Sequence, residues 1–251
     1  MLRHTDGVKS MELVVLGSSG SYASARGACS GYLVRTAEAN LWLDCGNGTL
    51  ATLHEYCDPG EIDAVVITHE HPDHCADIYG MHVAWRYGLE RSGLPVFAPS
   101  GAEQRLGALV SDWGGVFDWR VIEDATPVEV KDARLDFRRT DHPIPTFAVE
   151  VSADAARLIY TADTGPAWSV DSFPHGADLV LAEASYLHSY RRTNMHLSAH
   201  EAGEMAKNSS ARALMLTHLW PTLDAQASLE EGSKAFGAPA TLATPRLVTN
   251  V

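Results

Sequence analysis

The segment His-Glu-His-Pro-Asp-His at 69–74 restricts what this chain can fold into more than any other feature. It follows an apolar, β-branched run at 64–68, which predicts a buried strand. It precedes residues 77–91, where apolar side chains recur at helical spacing and predict a helix. Imidazole nitrogen and carboxylate oxygen are the ligands of zinc ions that keep an open position for water. Alternation places His69 and His71 on one side of the chain, so this turn predicts a site for one or two metal ions.

Length and charge narrow the class of protein. The 251 residues, 45% of them hydrophobic, suit one large α/β domain. The net charge of −13, with only 19 Lys and Arg, argues against a nucleic-acid-binding surface, because phosphate backbones are bound by clustered cations. No apolar run reaches the ~18 residues that span a bilayer, so we expect a cytoplasmic protein without membrane contact. Residues 1–10 are polar and aperiodic and predict a disordered leader before a single domain at 11–251.

The four cysteines show neither CxxC spacing nor a secretory signal, so a disulfide framework is not expected. Cys75 directly follows His74 and could approach a metal ion at that turn. A small buried side chain is the favoured interpretation of Cys75, because free cysteine is among the most buried residue types.

Periodicity gives a coarse order of elements. Strands are predicted at 12–16, 31–35, 40–43, 95–98, 128–130, 135–139, 146–151, 157–161, 179–182 and 212–216. Helices are predicted at 49–56, 102–111 and 223–236, and a further helix follows Ser198, which forms a capping box with Glu201. Residues 113–123 are interpreted as part of a loop over the site, 185–194 as a mobile loop, and the end of the chain as extended.

Five segments occur in an order typical of one family. They are Asp44-Cys45-Gly46-Asn47-Gly48 after a strand, the segment at 69–74, His142 after a strand, Tyr160-Thr161-Ala162-Asp163-Thr164-Gly165, and Leu214-Met215-Leu216-Thr217-His218. With these motifs the chain resembles the metallo-β-lactamase-fold hydrolases from about residue 11 to residue 218. The resemblance implies an α/β fold of four layers, an αβ/βα sandwich.

The same resemblance implies a dinuclear centre that holds two Zn²⁺ ions, with Mn²⁺ or Fe as alternatives. His69, His71 and His142 would bind one ion. Asp73, His74 and His218 would bind the other, and Asp163 would lie between the two ions. A carboxylate at Asp44 would accept a hydrogen bond from one of the ligand imidazoles and orient it.

Two further segments, Glu183-Ala184-Ser185 and His196-Leu197-Ser198, resemble the paired loops of the ribonuclease Z-like phosphodiesterase branch. The resemblance implies catalytic roles for Asp73, Glu183 and His196. Water ionised by the two ions would attack phosphorus, and His196, oriented by Glu183, would protonate the leaving oxygen. The alternative for His196 is a histidine that merely begins a helix.

The chain departs from tRNA-processing ribonuclease Z in two places. Only 21 positions separate His142 from Asp163, which leaves no room for the long arm that grips tRNA, and Leu219-Trp220-Pro221 replaces a Ser-Arg-Tyr run. The chain resembles instead a short, arm-less group from actinobacteria and firmicutes, some of whose members hydrolyse cyclic nucleotides such as cAMP. We therefore expect a small phosphodiester substrate, with nucleic acid less favoured, and a homodimer.

Two alternatives stay open at this point. One is a ribonuclease Z-type RNA nuclease that processes tRNA 3′ ends, which a basic stripe around the cleft would favour. The other is a non-catalytic binding protein that keeps the same fold, against which the complete set of ligand positions argues.

Overall fold

Two seven-stranded sheets hold the strands of the described chain. The first sheet contains β1 (Glu12–Gly17), β2 (Gly31–Arg35), β3 (Asn40–Cys45), β4 (Ala64–Val66), β5 (Leu94–Ala98) and β6 (Phe117–Val121). The second contains β7 (Val128–Val130), β8 (Ala133–Arg139), β9 (Phe147–Ala153), β10 (Ala156–Tyr160), β11 (Leu179–Glu183), β12 (Ala213–Thr217) and β13 (Thr241–Leu242). The short strand β14 (Val248–Asn250) returns to the first sheet.

The two sheets are built alike. Their strand orders are β14-β1-β2-β3-β4-β5-β6 and β13-β12-β11-β10-β9-β8-β7. In the first sheet the pairings from β14 to β3 are antiparallel and those from β3 to β6 are parallel. In the second, β7 to β10 pair antiparallel and β10 to β13 parallel. The parallel halves need crossover connections, and these carry the helices and the loops of the site.

In the part of the chain that the structure describes, six α-helices cover the outer faces of the two sheets. Helices α1 (Thr49–Leu53), α2 (Pro72–Cys75), α3 (Ile78–Val83) and α4 (Ala102–Gly107) share a core with the first sheet. Helices α5 (Ala199–Asn208) and α6 (Ala225–Phe236) share one with the second. A central core, which includes Tyr32, Phe97, Phe137 and Tyr160, lies between the sheets. The predicted four-layer αβ/βα sandwich is thereby confirmed.

The interpretation of residues 113–123 as a loop over the site is wrong. Phe117–Val121 forms β6, which pairs parallel with β5 at the edge of the first sheet. Trp113 packs against Phe117 with ring centroids 5.3 Å apart, and both are buried in the core between that sheet and its helices. Gly114 and Gly115, both at positive φ, turn the chain into the strand.

Several predicted helices are shorter in the structure. The helix predicted at 77–91 is α3 followed by a π-helical turn, Ala84–Gly88. Those predicted at 49–56 and 102–111 end at Leu53 and Gly107. The capping box on α5 is confirmed, since Ser198 Oγ accepts from the backbone of Glu201, whose carboxylate accepts from the backbone of Ser198.

The structure is a computed structural model, which describes residues 11–25, 27–110, 112–174, 176–190 and 193–251. The predicted leader at 1–10 lies outside them, as do Arg191 and Arg192 of the predicted mobile loop. Within these ranges, we find no helix with the length and apolar character to cross a membrane. The single domain at 11–251 stays a prediction, and strands near both of its limits, β1 and β14, pair with each other.

Candidate metal centre

The predicted ligands follow strands of both sheets. His69, His71, Asp73 and His74 come from the turn after β4 and the first residues of α2. From the second sheet, His142 follows β8, Asp163 follows β10 and His218 follows β12. The turns after parallel strands meet at one edge of a sheet, which is where open α/β folds place their ligands. The structure brings all seven side chains together at the junction of the two sheets.

One cluster consists of His69, His71, His142 and Asp163, whose ligand atoms all lie within 4.8 Å of one another. Nδ1 of His71 is 3.1 Å from Nε2 of His69 and 3.4 Å from Nε2 of His142. Oδ2 of Asp163 is 3.6 Å from Nε2 of His69. We call this group the first cluster.

The second cluster consists of Asp73, His74 and His218, again with ligand atoms within 4.8 Å of one another. The Nε2 atoms of His74 and His218 are 3.3 Å apart. Oδ2 of Asp73 lies 3.2 Å from Nε2 of His218 and 3.5 Å from Nε2 of His74. These are the three residues that the resemblance assigned to a second ion.

Asp163 connects the two clusters through its two oxygens. Oδ2 faces the first cluster, while Oδ1 lies 3.3 Å from Nε2 of His74 and 3.4 Å from Nε2 of His218. Oδ1 is buried and has no hydrogen-bond partner among the described residues. A buried carboxylate oxygen normally has a partner, because an unsatisfied buried charge is costly. The position fits a carboxylate that bridges two cations.

Three of the histidines also make a hydrogen bond through Nδ1, the ring nitrogen that faces away from the clusters, and these bonds support a metal site. Nδ1 of His74 donates to Asp44 at 2.7 Å, and Nδ1 of His142 donates to the Met195 carbonyl at 3.2 Å. Nδ1 of His69 donates to Thr68 Oγ1 at 3.1 Å, because that hydroxyl already donates to Asp44. The Nε2 lone pairs of these rings therefore point into the clusters, as they must in order to bind divalent cations.

The pKa values of the first-cluster histidines and that of His74 in the second cluster are shifted in opposite directions. Burial lowers the pKa of His69, His71 and His142, so these rings are neutral and able to bind a metal ion. Burial opposes charge on His74 as well, but the carboxylates of Asp163, Asp44 and Asp73 raise its pKa well above the usual value. These carboxylates give the second cluster a negative potential, which favours the binding of cations.

Asp44 supports the centre from behind. Its Oδ1 accepts from the backbone of Thr68 at 2.8 Å. Its Oδ2 accepts from the hydroxyl of Tyr160 at 2.8 Å, in addition to His74 and the hydroxyl of Thr68. The expected contact between Asp44 and a ligand imidazole is present, but the sequence did not point to Thr68 or Tyr160. No sequence motif indicates the role of these two hydroxyls, and Tyr160 contacts Asp44 from the other sheet.

Ser185 is a residue of the site that the sequence did not single out. Its hydroxyl donates to Glu183 Oε2 at 2.7 Å and accepts from Nδ1 of His218 at 2.8 Å. It thereby aims Nε2 of His218 at the second cluster. Glu183 is fully buried, and its other oxygen accepts from the backbone of Thr164 at 2.6 Å.

His196 stands between the two clusters. Its Nδ1 donates to Glu183 Oε1 at 3.1 Å and lies 3.7 Å from Asp163. Its ring centroid is 5.4 Å from that of His142 and 5.5 Å from that of His218. Burial lowers the pKa of His196, but the Glu183 carboxylate outweighs that effect and raises the pKa to about 9. The raised pKa favours the protonated ring, in which an Nε2–H is available to donate.

Three of the ten non-glycine residues that have positive φ in the described chain lie at the centre. Asp44, Ala162 and His218 all have positive φ, at 53°, 51° and 56°. For non-glycine residues this conformation is sparsely populated and persists where surrounding contacts enforce it. Each of the three lies at the end of a strand that delivers a side chain to the centre, so the strain accompanies the placement of these groups.

Cys75 lies outside both clusters. It is 2% exposed, and its thiol donates to the carbonyl of Glu70 at 3.5 Å. Burial raises the pKa of the Cys75 thiol to about 12, which disfavours the thiolate that binds metals. The interpretation of Cys75 as a small buried side chain agrees with these contacts.

Comparison with known proteins places the chain in a family. Residues 39–219, more than half of the chain, match the beta-lactamase superfamily domain. The chain belongs to the beta-lactamase superfamily. The predicted resemblance to metallo-β-lactamase-fold proteins is thus confirmed, and so is its extension to the ribonuclease Z-like branch.

Three relatives of this superfamily member span most of its length. An uncharacterized protein of Mycobacterium leprae, ML1173, is 35% identical over 244 residues, covering 92% of this chain and 86% of the relative. The probable metallo-hydrolase YhfI of Bacillus subtilis is 29% identical over 216 residues, covering 83% and 87%. The ribonuclease Z of Mycolicibacterium gilvum is 26% identical over 259 residues, covering 91% and 90%.

A solved structure of YhfI, described as a metallo-beta-lactamase fold protein, superimposes with a TM-score of 0.88. The two structures share 26% sequence identity, and the match covers 97% of this chain and all of the other. The sheets and helices described above are therefore those of a known fold.

Proposed function

We propose that this chain is a dinuclear, zinc-dependent phosphodiesterase that hydrolyses a small, cyclic nucleotide such as cAMP. The observation that carries the proposal is the hydrogen bond between His196 and Glu183, which holds the imidazole beside both clusters. A protonated group at that position suits a reaction whose leaving group is a poor alkoxide. Similarity to the probable metallo-hydrolase YhfI and to ribonuclease Z supports a hydrolase.

The donor set of the two clusters suits Zn²⁺, which binds imidazole nitrogen and carboxylate oxygen. His69, His71 and His142 would hold one ion, Asp73, His74 and His218 the other, and Asp163 would contribute one oxygen to each. When bound, such ions lower the pKa of water toward neutrality and neutralise charge on phosphoryl oxygens.

The residues of the chain supply the proton transfer. Nδ1–H of His196 stays bonded to Glu183, which holds the ring in one orientation. As the P–O bond of the substrate breaks, Nε2 of His196 gives its proton to the departing oxygen, and the ring becomes neutral. Glu183 keeps its negative charge throughout and is a positioning residue.

The leaving-group dependence of a His196→Ala variant tests this proposal. For cAMP, whose leaving alkoxide is poor, we expect kcat to fall by about 10²–10⁴-fold, the usual worth of general acid catalysis. For bis(p-nitrophenyl) phosphate, whose p-nitrophenolate leaves unaided, we expect a loss below about tenfold. Equal losses on the two substrates would remove His196 from the role of acid.

Two further variants make the comparison sharper. Glu183→Gln keeps the size of the side chain but removes its charge, and we expect the same leaving-group dependence in weaker form. His188→Ala removes a histidine of the same segment whose Nδ1 contacts Ser198 instead of the clusters. It should leave both rates within about twofold of the unmodified protein, because its ring takes no part in the proton transfer.

A ribonuclease Z-type RNA nuclease is the second candidate. Its support is the 26% identity with a ribonuclease Z over 91% of this chain. Against it, the segment between His142 and Asp163 is occupied by the hairpin β9–β10, and the net charge is −13. Side-by-side assays on cyclic nucleotides, dinucleotides and tRNA precursors would separate the two candidates. A cytoplasmic location and a homodimer remain predictions.

A further inference from the structure

A row of aromatic side chains runs from the candidate centre to the protein surface. Tyr186 packs on His196 with ring centroids 6.0 Å apart, and Trp220 packs on Tyr186 at 5.7 Å. Tyr22 continues the row with its ring 6.4 Å from Trp220, at an interplanar angle of 74°. Tyr186 is 5% exposed, whereas Tyr22 is 45% exposed. The row therefore ends in an open aromatic ring.

The loop that carries Tyr22 is attached to the second cluster. The backbone N–H of Ser21 donates to Oδ2 of Asp73 at 2.8 Å, and that of Gly20 donates to the carbonyl of Leu219 at 3.0 Å. A Cβ on Gly20 would lie 2.3 Å from the carbonyl oxygen of His218, so only glycine permits this approach. These contacts fix the loop next to Tyr22, because Ser21, the residue before it, is bonded to the predicted metal ligand Asp73.

We propose that Tyr22, backed by Trp220, is a stacking subsite for the base of a nucleotide whose phosphate lies at the two clusters. This inference rests on the proposed phosphodiesterase function and adds the part of the substrate that the clusters do not contact. With this subsite the protein would recognise the base of the substrate in addition to its phosphodiester.

The geometry of the row favours this role. The edge-to-face contact with Trp220 supports Tyr22 from one side, and nearly half of Tyr22 remains exposed and able to contact a ligand. Bases stack on aromatic side chains whatever their hydrogen-bonding edges. Ser21, the residue before Tyr22, contacts Asp73 of the second cluster, so a nucleotide whose phosphate lies at the clusters has Tyr22 on the adjoining loop to receive its base.

Binding of two ligands that differ only in the base tests the subsite. AMP and ribose 5-phosphate carry the same phosphate ester, and only AMP carries adenine. By titration calorimetry on the zinc-loaded protein, we expect AMP to bind about tenfold more tightly or better. Tyr22→Ala should remove most of that ratio by weakening AMP alone, while Tyr22→Phe should preserve it.

Tyr87→Ala serves as the matched control, because Tyr87 is an exposed tyrosine, 69% accessible, in the π-helical turn after α3. It should leave the ratio unchanged. Equal binding of the two ligands by the unmodified protein, or a ratio that survives Tyr22→Ala, would overturn the subsite. Failure to bind either ligand, together with no hydrolysis of bis(p-nitrophenyl) phosphate, would overturn the phosphodiesterase itself and the subsite with it.

Discussion

Ser185 connects the two functions expected of the centre, because one hydroxyl bonds to both the predicted metal ligand His218 and the carboxylate of Glu183. A serine hydroxyl has one hydrogen and two lone pairs, so it can donate to Glu183 while it accepts from His218. The same carboxylate orients His196. A change at Ser185 should therefore reach the second cluster directly and His196 only through Glu183.

We predict that Ser185→Ala weakens the binding of one zinc ion by about 10–100-fold and leaves the other nearly unchanged. Loss of a group that is hydrogen-bonded to a metal ligand typically lowers metal affinity by about that factor. Competition with a chromophoric chelator would resolve the two binding steps.

Ser228→Ala is a suitable control for this experiment. Ser228 is also buried, but its hydroxyl donates to the carbonyl of Asp224, the N-cap residue of α6, outside the site. Equal weakening of both ions by Ser185→Ala, or of neither, would contradict the role assigned to its hydroxyl.

Among the residues of the site, the sequence predicted those that belong to a motif with a defined spacing. It missed those whose role depends only on contacts in the folded protein. The seven clustered side chains lie in short motifs at strand ends, where the type and order of residues are informative. Thr68, Tyr160 and Ser185 act through hydroxyls whose partners are set by the packing of the two sheets. Ligation by the seven residues stays a prediction until metal is measured.

Among the elements, α5 has a direct link to the centre, because it begins three residues after His196 and its capping box fixes that end of the helix. It packs on α6 at a point where both helices have glycine. A Cβ on Gly203 would lie 2.5 Å from the carbonyl oxygen of Gly232 and 2.8 Å from the Cβ of Ala235. The close approach of the two helices depends on this missing side chain.

We predict that Gly203→Ala lowers the free energy of unfolding by about 1–2 kcal/mol. Alanine favours a helix by about 1 kcal/mol over glycine, but forcing a methyl group into a packed interface costs about 1–3 kcal/mol or more where it meets backbone. Chemical denaturation followed by circular dichroism would measure the change.

Gly88→Ala provides the comparison, since a Cβ there meets no atom within 4 Å in the described chain. It should be neutral or stabilise the protein by up to about 1 kcal/mol. A Gly203→Ala variant as stable as Gly88→Ala would show that the helices can separate without cost.

Element prediction succeeded where periodicity was strong and failed where tertiary contacts decide. The strands with buried, alternating residues appear close to their predicted bounds, as in β8 and β10. Strand β6 was missed because only Phe117 is buried along it and its pairing with β5 is non-local. The short strands β13 and β14 exist only through partners far away in sequence.

At the scale of the whole molecule, the two clusters join the two sheets. The first sheet supplies the ligands at 69–74, and the second supplies His142, Asp163 and His218. Ions bound there would connect halves that otherwise meet through the apolar central core. Metal and stability should therefore be linked, because a ligand bound only by the folded state stabilises that state.

We predict that removal of metal by a chelator lowers the melting temperature by roughly 5–10 °C, and that added zinc restores it. Differential scanning fluorimetry across a zinc titration, with metal content measured by mass spectrometry, would check both parts. A protein that contains no zinc as purified and melts at the same temperature with chelator or zinc would favour the non-catalytic alternative.

The pairing of β1 with β14 has a consequence for biosynthesis. Leu13 of β1 is opposite Thr249 of β14, so a strand made early on the ribosome needs a partner made late. Until that partner emerges from the exit tunnel, the nascent chain carries an unpaired strand edge, the kind of surface on which chains aggregate. Folding of the first sheet therefore remains incomplete until residues 248–250 have left the exit tunnel.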